Sequence, residues 1–181
     1  MSKTVQLQTP LTDSAVRALR AGDEVAISGT VYAARDMAHQ RLCALLDRRE
    51  PLPLDLHGAV IYFVGPTPAA PGRAIGSAGP TTSSRMDAFS PKLLAAGLKG
   101  MIGKGYRNEM VREALRTYGA VHLAAIGGAG ALLSKHIVAS EVVAYEDLGA
   151  EAIRRLVLKD FPAVVAYDVY GNSIYEMRSA E

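Results

Sequence analysis

The stretch that decides the fold is DEVAISGTVYAA at residues 23–34, followed directly by RDMAHQRLCALLDRR at residues 35–49. The first part is rich in Val, Ile and Thr, a composition that predicts a β-strand. The second part changes to helical spacing, with Ala38 and Leu42 on one predicted apolar stripe that also includes Leu45 and Leu46. A strand that leads directly into a helix is the repeating unit of α/β domains.

The rest of the chain alternates between the same two kinds of segment. Thr12 is a predicted helix N-cap, and Gly119 is placed to end a helix. This alternation predicts one α/β domain over residues 1–181, with helices that cover a sheet. The other predicted strands are residues 59–64, 74–78, 99–103, 121–126, 138–145 and 163–169, and the other predicted helices are residues 11–21, 108–118, 127–135 and 149–159.

The composition is that of an ordinary globular protein. Of the 181 residues, 49% are hydrophobic and 21% are charged, which is unlike a disordered chain. The formal charge of +2 argues against a general polyanion binder, because nucleic-acid domains carry a marked basic excess. The single cysteine, Cys43, provides neither a disulfide framework nor a thiolate-based metal site.

Targeting segments are not evident in the sequence. The first ten residues are polar and lack the apolar stretch of a secretory signal. No apolar run approaches the roughly 20 residues that a bilayer-spanning helix needs. We therefore expect a cytoplasmic location.

Two short runs combine glycine turns with polar and basic side chains. GPTTSSRMD at residues 79–87 places four hydroxyls and Arg85 behind a small-residue turn. GKG at residues 103–105 adds Lys104 after another predicted strand. Such turns usually lie at the surface, where backbone and hydroxyl donors can meet a ligand. Together the two runs predict a site for a small anion.

Arg35 adds a second guanidinium at the end of the strand at residues 23–34, with Asp36 beside it. The ends of strands that lead into helices gather ligands in open α/β sheets, and unpaired N–H groups there favour anions. Arginine holds a carboxylate through two parallel hydrogen bonds, and lysine supplies a compact charge. Two arginines and a lysine therefore suit a dicarboxylate.

Each of these residues also has a purely structural interpretation. An arginine at a helix start is commonly a surface ion-pair partner, which is the alternative for Arg35. The paired threonines Thr81 and Thr82 after Gly-Pro are typical of a helix cap. Lys104 between glycines is typical of a solvated loop. The glycines of residues 127–130 suit close helix packing better than a phosphate cradle.

The sequence lacks the motifs of several common binding and catalytic sites. GGAGALL at residues 127–133 lacks the third glycine of the dinucleotide-binding motif, and the GKG run does not have the spacing of a P-loop. The chain contains neither H-E-x-x-H nor G-x-S-x-G. The histidines lack metal-ligand spacing, which favours structural or solvent-exposed roles for them. The four histidines are His39, His57, His122 and His136.

The two glycine-rich runs, together with most of the remaining sequence, resemble a known protein family. IGSAGPTTSSRMD at residues 75–87, followed by LKGMIGKG at 98–105, resembles the C-terminal, or beta, part of class I fumarases and the related L-tartrate dehydratases. The resemblance covers nearly the whole chain in order, and it implies a three-layer β/β/α "swivelling" domain. The other matching stretches are SGTVYAARDMAHQR (28–41), PLPLDLHGAVIYFVGP (51–66), GAVHLAAIGGAGALL (119–133), VVAYEDLGAEAIRRL (142–156) and DFPAVVAYDVYGN (160–172).

The resemblance implies reversible hydration of fumarate to L-malate on a [4Fe–4S] cluster. In this family three cysteines of the N-terminal, or alpha, part hold the cluster, so we expect no metal in this chain and a separate iron–sulfur alpha subunit as its partner. The chain is then the beta subunit of a hetero-oligomeric hydro-lyase and inactive alone, with neither nucleic acid nor membrane as a partner. The alternatives are the beta subunit of an L-tartrate dehydratase or a mesaconate hydratase, and a stand-alone anion-binding or regulatory domain.

The same resemblance implies roles for individual residues. Thr81 is the expected base, and Thr82 beside it is a substrate or backbone contact. Arg35, Arg85 and Lys104 are the expected ligands of the substrate carboxylates. A threonine hydroxyl needs an adjacent base, which the family supplies as a carboxylate of the alpha part. The RMD triplet that ends the run favours fumarases over tartrate dehydratases.

Two further residues are candidates for contacting the predicted site residues without touching the substrate. His39 lies four residues after Arg35. Three interpretations of His39 stay open: it orients that arginine, lies near the subunit interface, or is a solvated residue on the helix face. Asp87 lies two residues after Arg85 and need not face it.

Overall fold

The computed structural model describes residues 3–125 and 130–177, which form a mixed α/β structure. No helix in these ranges has both the length and the apolar character that crossing a membrane requires. The strands are β1 (Val5–Gln8), β2 (Glu24–Ala33), β3 (Val60–Tyr62), β4 (Gly100–Gly103), β5 (Val121–Ala125), β6 (Ile137–Ala144) and β7 (Ile153–Tyr167). The helices are α1 (Asp13–Arg17), α2 (Asp36–Asp47), α3 (Ser90–Ala95), α4 (Glu109–Tyr118), α5 (Gly130–Ser134) and α6 (Ile174–Met177), with 3-10 turns at Ser83–Met86 and Glu146–Glu151.

One sheet contains all seven of these strands, in the order β1-β2-β3-β4-β5-β7-β6. Strands β1 to β5 pair in parallel, while the long β7 runs antiparallel to β5 and β6. β7 also pairs antiparallel with β2, from Glu24 opposite Val164 to Ala33 opposite Arg154. This additional pairing closes β2, β3, β4, β5 and β7 into a ring of hydrogen-bonded neighbours.

Side chains alternate between two cores, one on each side of the strands. In β3, Val60 and Tyr62 belong to the first core, where Tyr62 packs edge-on against Phe161 of β7. Ile61 between them belongs to the second core. This alternation is the period of 2 that a strand imposes on its side chains. Helices α2, α3 and α4 pack into the second core through residues that include Leu42, Leu93 and Leu115.

Local signals set the helix ends as predicted. Thr12 caps α1, because its hydroxyl accepts a hydrogen bond from the amide of Ala15 at 3.2 Å. Gly119 ends α4 with a left-handed φ of 65°, a conformation that costs glycine little. The predicted strand at residues 23–34 and helix at 35–49 are confirmed as β2 and α2, each slightly shorter than predicted.

The buried face of α2 differs from the predicted stripe. His39 and Cys43 are buried, while Leu45 and Leu46 are only half-buried. The helix is rotated so that the His39 ring packs against aromatic rings of the second core, at a centroid distance of 6.2 Å from Phe89. Apolar spacing alone could not identify a histidine as part of a core.

The predicted helix at residues 149–159 is wrong, because β7 begins at Ile153. Arg154 lies opposite Ala33 of β2 on one side and opposite Val142 of β6 on the other. Ladders on both edges satisfy the backbone of this segment, and their partners lie far away in sequence. Tertiary pairing of this kind overrides the local spacing from which a helix was inferred.

The predicted strand at residues 74–78 is also wrong, since this segment is a loop. It is held by single hydrogen bonds and not by a ladder. The Ser77 carbonyl accepts from the amide of Thr67 at 3.0 Å, and the Ala78 amide donates to the carbonyl of Gly130 at 3.2 Å. A few apolar residues beside glycine resemble a strand in sequence, but no strand in the described part of the chain pairs with them.

We expect that replacing Phe161 with alanine destabilises the chain by about 3–5 kcal/mol, because it empties the space that this ring fills in the first core. The free energy of unfolding in urea measures the effect. Val138→Ala is the matched control, since Val138 is 54% exposed, and we expect a change within about 0.5 kcal/mol. A loss of less than about 1 kcal/mol in Phe161→Ala would contradict the assignment of this residue to the core.

Candidate active site at the carboxyl ends of the parallel strands

The residues that follow three parallel strands, among them the predicted Arg35 and Lys104, lie at one edge of the sheet. Arg35 follows β2, Phe63 and Gly65 follow β3, and Lys104 follows β4. Because β2, β3 and β4 run in the same direction, their carboxyl ends meet at this edge. The run at residues 79–87 joins them here, through contacts described below.

Asp36 bridges the two arginines of the site. Nε of Arg85 donates to Oδ2 of Asp36 at 2.8 Å, and Nη2 of Arg85 lies 2.8 Å from the same oxygen in an ion pair. Nε of Arg35 lies 3.7 Å from Oδ1 of the same carboxylate. One carboxylate therefore hydrogen-bonds Arg85 and forms a longer ion pair with Arg35, in which Arg35 Nε and Asp36 Oδ1 make no hydrogen bond.

Arg35 has a second acidic neighbour, Glu151, whose Oε1 lies 3.8 Å from the Arg35 Nε. The stem of Arg35 passes close to Gly65, where an added Cβ would lie 3.0 Å from the arginine Cδ. Glycine at this position therefore leaves the space that the arginine occupies. Arg35 is thus held between Asp36, Glu151 and the end of β3, which the sequence did not reveal because Glu151 comes from the turn before β7.

The backbone of residues 81–83 is hydrogen-bonded to the residues that directly follow β3 and β4. The Thr81 amide donates to the carbonyl of Phe63 at 2.7 Å, and the Ser83 amide donates to the carbonyl of Lys104 at 2.8 Å. Thr82 forms an isolated parallel bridge with Lys104. The structure therefore brings Thr81, Thr82 and Lys104 together at the edge where Arg35 and Arg85 also lie.

The helix-cap interpretation fails for Thr82. This residue occupies the N-cap position of the 3-10 turn at Ser83–Met86, but its side chain makes no capping hydrogen bond. The Thr82 side chain is exposed, and Thr81 is half-buried. The hydroxyl of Thr82 is therefore not used to start the turn.

The site is open to solvent. The Arg85 side chain is 52% exposed, and Lys104 is exposed as well. A cleft of about 310 Å³ lies instead at the amino end of β4, lined by residues that include Leu11, His57 and Lys99. It lies at the end of β4 opposite to Lys104, and none of the predicted site residues lines it.

His39 is fully buried, so the solvated interpretation of this residue is wrong. Its Nδ1 lies 2.8 Å from the carbonyl oxygen of Arg35, and its ring packs edge-on against Phe63. A carbonyl oxygen can only accept, so Nδ1 carries the hydrogen and donates it. His39 thereby holds the backbone of Arg35 at the start of α2, and burial lowers the pKa of His39 to about 4.

Asp87 does not face Arg85. Its Oδ1 accepts from Nε of the buried Arg107 at 2.7 Å, and its Oδ2 accepts from the Asn108 amide at 2.9 Å. Arg107 in turn contacts His122, which contacts Ser83. Arg107 and Ser83 are not among the predicted site residues, and the one sequence signal for them was the polar His122 inside an apolar strand.

Metal ligands are not grouped in the described part of the chain. Within residues 3–125 and 130–177, no three His, Cys, Asp or Glu side chains are arranged to hold a metal ion. Cys43 is buried and unpaired, and burial raises the pKa of its thiol. Most of the glycine run at 127–130 lies outside the described residues. Its last residue, Gly130, packs closely on the loop, since an added Cβ would lie 2.7 Å from the amide nitrogen of Gly79.

Comparison with protein families decides the membership of this chain. The family model described as "Fumarase C-terminus" matches residues 1–178. The chain belongs to this fumarase C-terminus family. The match includes every candidate residue of the site described above, from Arg35 to Lys104.

Named relatives in the family are hydratases and dehydratases, which are hydro-lyases. "Fumarate hydratase class I, aerobic" of Escherichia coli (strain K12) is 38% identical over 154 residues, which cover 84% of this chain and 28% of the relative. "Fumarate hydratase 2" of Leishmania major is 36% identical over 156 residues, covering 85% of this chain and 28% of the relative. This chain thus spans little more than a quarter of these fumarases.

A third relative has nearly the length of this chain. It is named "Putative L(+)-tartrate dehydratase subunit beta" and comes from Methanocaldococcus jannaschii. It is 37% identical over 172 residues, which cover 92% of this chain and 88% of the relative. The family therefore includes a protein named as a subunit as well as longer fumarases.

We expect acid to destabilise the chain through His39. Its pKa is about 4 in the folded protein and near 6.5 when unfolded, so the unfolded chain binds more protons between these values. Stability is therefore retained above pH 6.5 and lost as the pH falls, by about 2 kcal/mol between pH 7 and pH 5. His122, whose pKa burial also lowers, adds to this loss, so urea unfolding at the two pH values should show at least the His39 contribution.

The variant His39→Gln isolates this effect, because glutamine can donate to the Arg35 carbonyl but does not titrate. We expect its loss of stability between pH 7 and pH 5 to be smaller than that of the native chain by about 2 kcal/mol. Equal losses in the two proteins would show that His39 is not a buried neutral imidazole.

Proposed function

We propose that this chain is the beta subunit of a two-subunit class I fumarate hydratase, which catalyses reversible hydration of fumarate to L-malate. The observation that carries the proposal is the meeting of Arg35, Arg85, Thr81 and Lys104 at one sheet edge in a chain of the fumarase C-terminus family. The proposal includes a cytoplasmic location and a single domain over residues 1–181. It also includes the three-layer β/β/α swivelling architecture, which the two cores support.

The relative named as subunit beta supports the two-subunit arrangement. The match covers 88% of that relative, and its name implies a partner subunit. In this proposal a separate polypeptide supplies the rest of the enzyme. The same relative makes an L-tartrate dehydratase beta subunit the second candidate, because it is as similar to this chain as the fumarases are.

The cations of the site suit the charge that develops in this reaction. Removal of the proton beside a carboxylate places further negative charge on that carboxylate, and fixed cations stabilise it best in a site that excludes water. Arg35, Arg85 and Lys104 are the proposed cations. Asp36 keeps both guanidinium groups in place before the substrate binds. A partner that covers the exposed Arg85 would exclude water from this surface.

Thr81 is the proposed base. Its backbone is fixed by the hydrogen bond to the Phe63 carbonyl, so its hydroxyl is carried on a defined backbone at the end of β3. A threonine hydroxyl is a weak base and needs an activating group beside it. We propose that a carboxylate of the partner subunit provides this activation and that Thr82 contacts the substrate or the neighbouring backbone.

The [4Fe–4S] cluster is assigned to the partner in this proposal. The described residues of this chain do not offer a set of ligands for it, since they contain one buried thiol and no grouped metal-binding side chains. When bound, such a cluster supplies Lewis-acid chemistry at an oxygen of the substrate. The contribution of this chain is to bind the carboxylates and to move the proton.

Co-expression tests the proposal. This chain and a polypeptide that carries the iron–sulfur half are produced together without oxygen and assayed with fumarate, L-tartrate and mesaconate. We expect fumarate to be converted to malate by the assembled protein and not by this chain alone. Malate formation by the purified chain would contradict the two-subunit proposal, and preference for L-tartrate would select the second candidate.

In the assembled enzyme, we expect Thr81→Val to abolish nearly all turnover while substrate binding is largely kept. The change removes the hydroxyl but preserves the shape of the side chain, and positioned acid–base groups contribute about 10²–10⁴-fold. Steady-state kinetics gives kcat and KM separately. Thr117→Val on the exposed face of α4 is the matched control. Activity of Thr81→Val within about tenfold of the native enzyme would exclude the base role.

Arg85→Met should raise KM and lower kcat together, because a substrate carboxylate loses a charged partner that binds both the ground state and the transition state. Loss of a hydrogen bond to a charged group corresponds to roughly 10–100-fold in kcat/KM. Arg48→Met is the matched control, since Arg48 forms an exposed ion pair with Glu50 away from the site. An unchanged kcat/KM in Arg85→Met would remove this arginine from the substrate-binding set.

A further inference from the structure

We propose that Arg107 and His122 are positioning residues: they form a buried chain of hydrogen bonds, from Asp87 to Ser83, that fixes the threonine turn and Arg85 for the reaction. This inference rests on the proposed function, because it assumes that Thr81 and Arg85 act on a substrate. Neither Arg107 nor His122 is itself expected to touch the substrate.

Arg107 is at the centre of this series of hydrogen bonds. It is only 5% exposed, and each nitrogen of its guanidinium has a partner. Nε donates to Asp87 at 2.7 Å, Nη2 donates to the Ser90 hydroxyl at 2.6 Å, and Nη1 lies 3.2 Å from Nδ1 of His122. The guanidinium also stacks 5.3 Å from the centre of the Phe63 ring. An arginine held on all sides in this way has a single available position.

The donor and acceptor roles of the side chains give this series of hydrogen bonds a direction. A guanidinium can only donate, so Nδ1 of His122 must accept the hydrogen bond from Arg107. The hydrogen of the neutral imidazole is then on Nε2, which lies 3.2 Å from the Ser83 hydroxyl and donates to it. Burial, together with the charge of Arg107, lowers the pKa of His122 and keeps the ring neutral.

The hydrogen bonds hold both ends of the segment that carries Arg85. Ser83 lies at its start and Asp87 directly after its end. Ser83 has little room to move, because it is fully buried and an added Cβ on Gly103 would lie 2.2 Å from its hydroxyl oxygen. Its amide also donates to the carbonyl of Lys104. Any shift of Ser83 would therefore move the threonines relative to Lys104.

A buried ion pair is a poor choice where only stability is needed. The desolvation of Arg107 and Asp87 opposes their attraction, and well-packed apolar residues often serve stability as well or better. The hydrogen bonds of Arg107 and His122 instead fix the positions of the polar side chains. Because misplacement of a reacting group by about 1 Å can reduce a rate about 100-fold, this geometry bears directly on turnover.

The test compares two replacements of His122 in the assembled enzyme. Glutamine can accept from Arg107 and donate to Ser83, whereas phenylalanine fills the space but does neither. We expect His122→Phe to lower kcat about 10–100-fold, and His122→Gln to stay within about threefold of the native enzyme. His57→Gln is the control, since His57 is exposed and remote from the site.

This ranking separates positioning from simple packing. A packing role would favour phenylalanine, which keeps the buried apolar contacts, so a His122→Phe enzyme with kcat equal to or above that of His122→Gln would overturn the proposal. If His122→Phe does not fold, Ser83→Ala provides the same test, because it removes the last acceptor of the chain with the loss of one oxygen atom.

A spectroscopic measurement on the purified chain keeps this inference separate from the proposed function. Nitrogen NMR should show His122 as the neutral tautomer with its hydrogen on Nε2, and the Thr81 and Thr82 methyl signals should shift in His122→Phe but not in His122→Gln. A hydrogen on Nδ1, or unshifted methyl signals, would overturn the inference. If the native enzyme converts none of the three substrates, the proposed function fails while these spectra still decide the inference.

Discussion

The antiparallel pairing of β7 with β2 is the constraint on which the rest of the structure depends. It closes five strands into a ring and encloses the first core, with Phe161 and Tyr62 in contact inside it. Within this ring β2, β3 and β4 pair in parallel, so their carboxyl ends meet at one edge. It also brings Glu151, just before β7, next to Arg35, just after β2. Loss of this pairing would separate the two sides of the candidate site.

At that edge, opposite charges alternate in space. Asp36 hydrogen-bonds Arg85 and lies 3.7 Å from Arg35, which has Glu151 as a second acidic neighbour. Each carboxylate reduces the repulsion between the guanidinium groups, which would otherwise oppose their approach. The arrangement places two guanidinium groups and two carboxylates at one edge, and Lys104 adds a further positive charge beside Thr82.

The sequence predicted the elements whose signals are local. The caps of α1 and α4 and the strand that becomes β2 were of this kind, and so were the candidate residues at the strand ends. It misjudged residues 149–159 and 74–78, where the outcome depends on distant partners. His39 and His122 were not recognised as core residues, because a histidine can be buried only when the surrounding fold supplies its partners.

By itself, the sequence determined the α/β class, the family resemblance and the residue types of the site, because spacing, turn chemistry and motif strings are properties of neighbouring residues. Only the tertiary structure decided that Asp36 joins Arg35 to Arg85 and that Arg107 and His122 join Asp87 to Ser83. These contacts connect residues from different strands and helices. Their geometry follows from the closure of the sheet, which brings these elements together, and from burial, which favours pairing of polar groups.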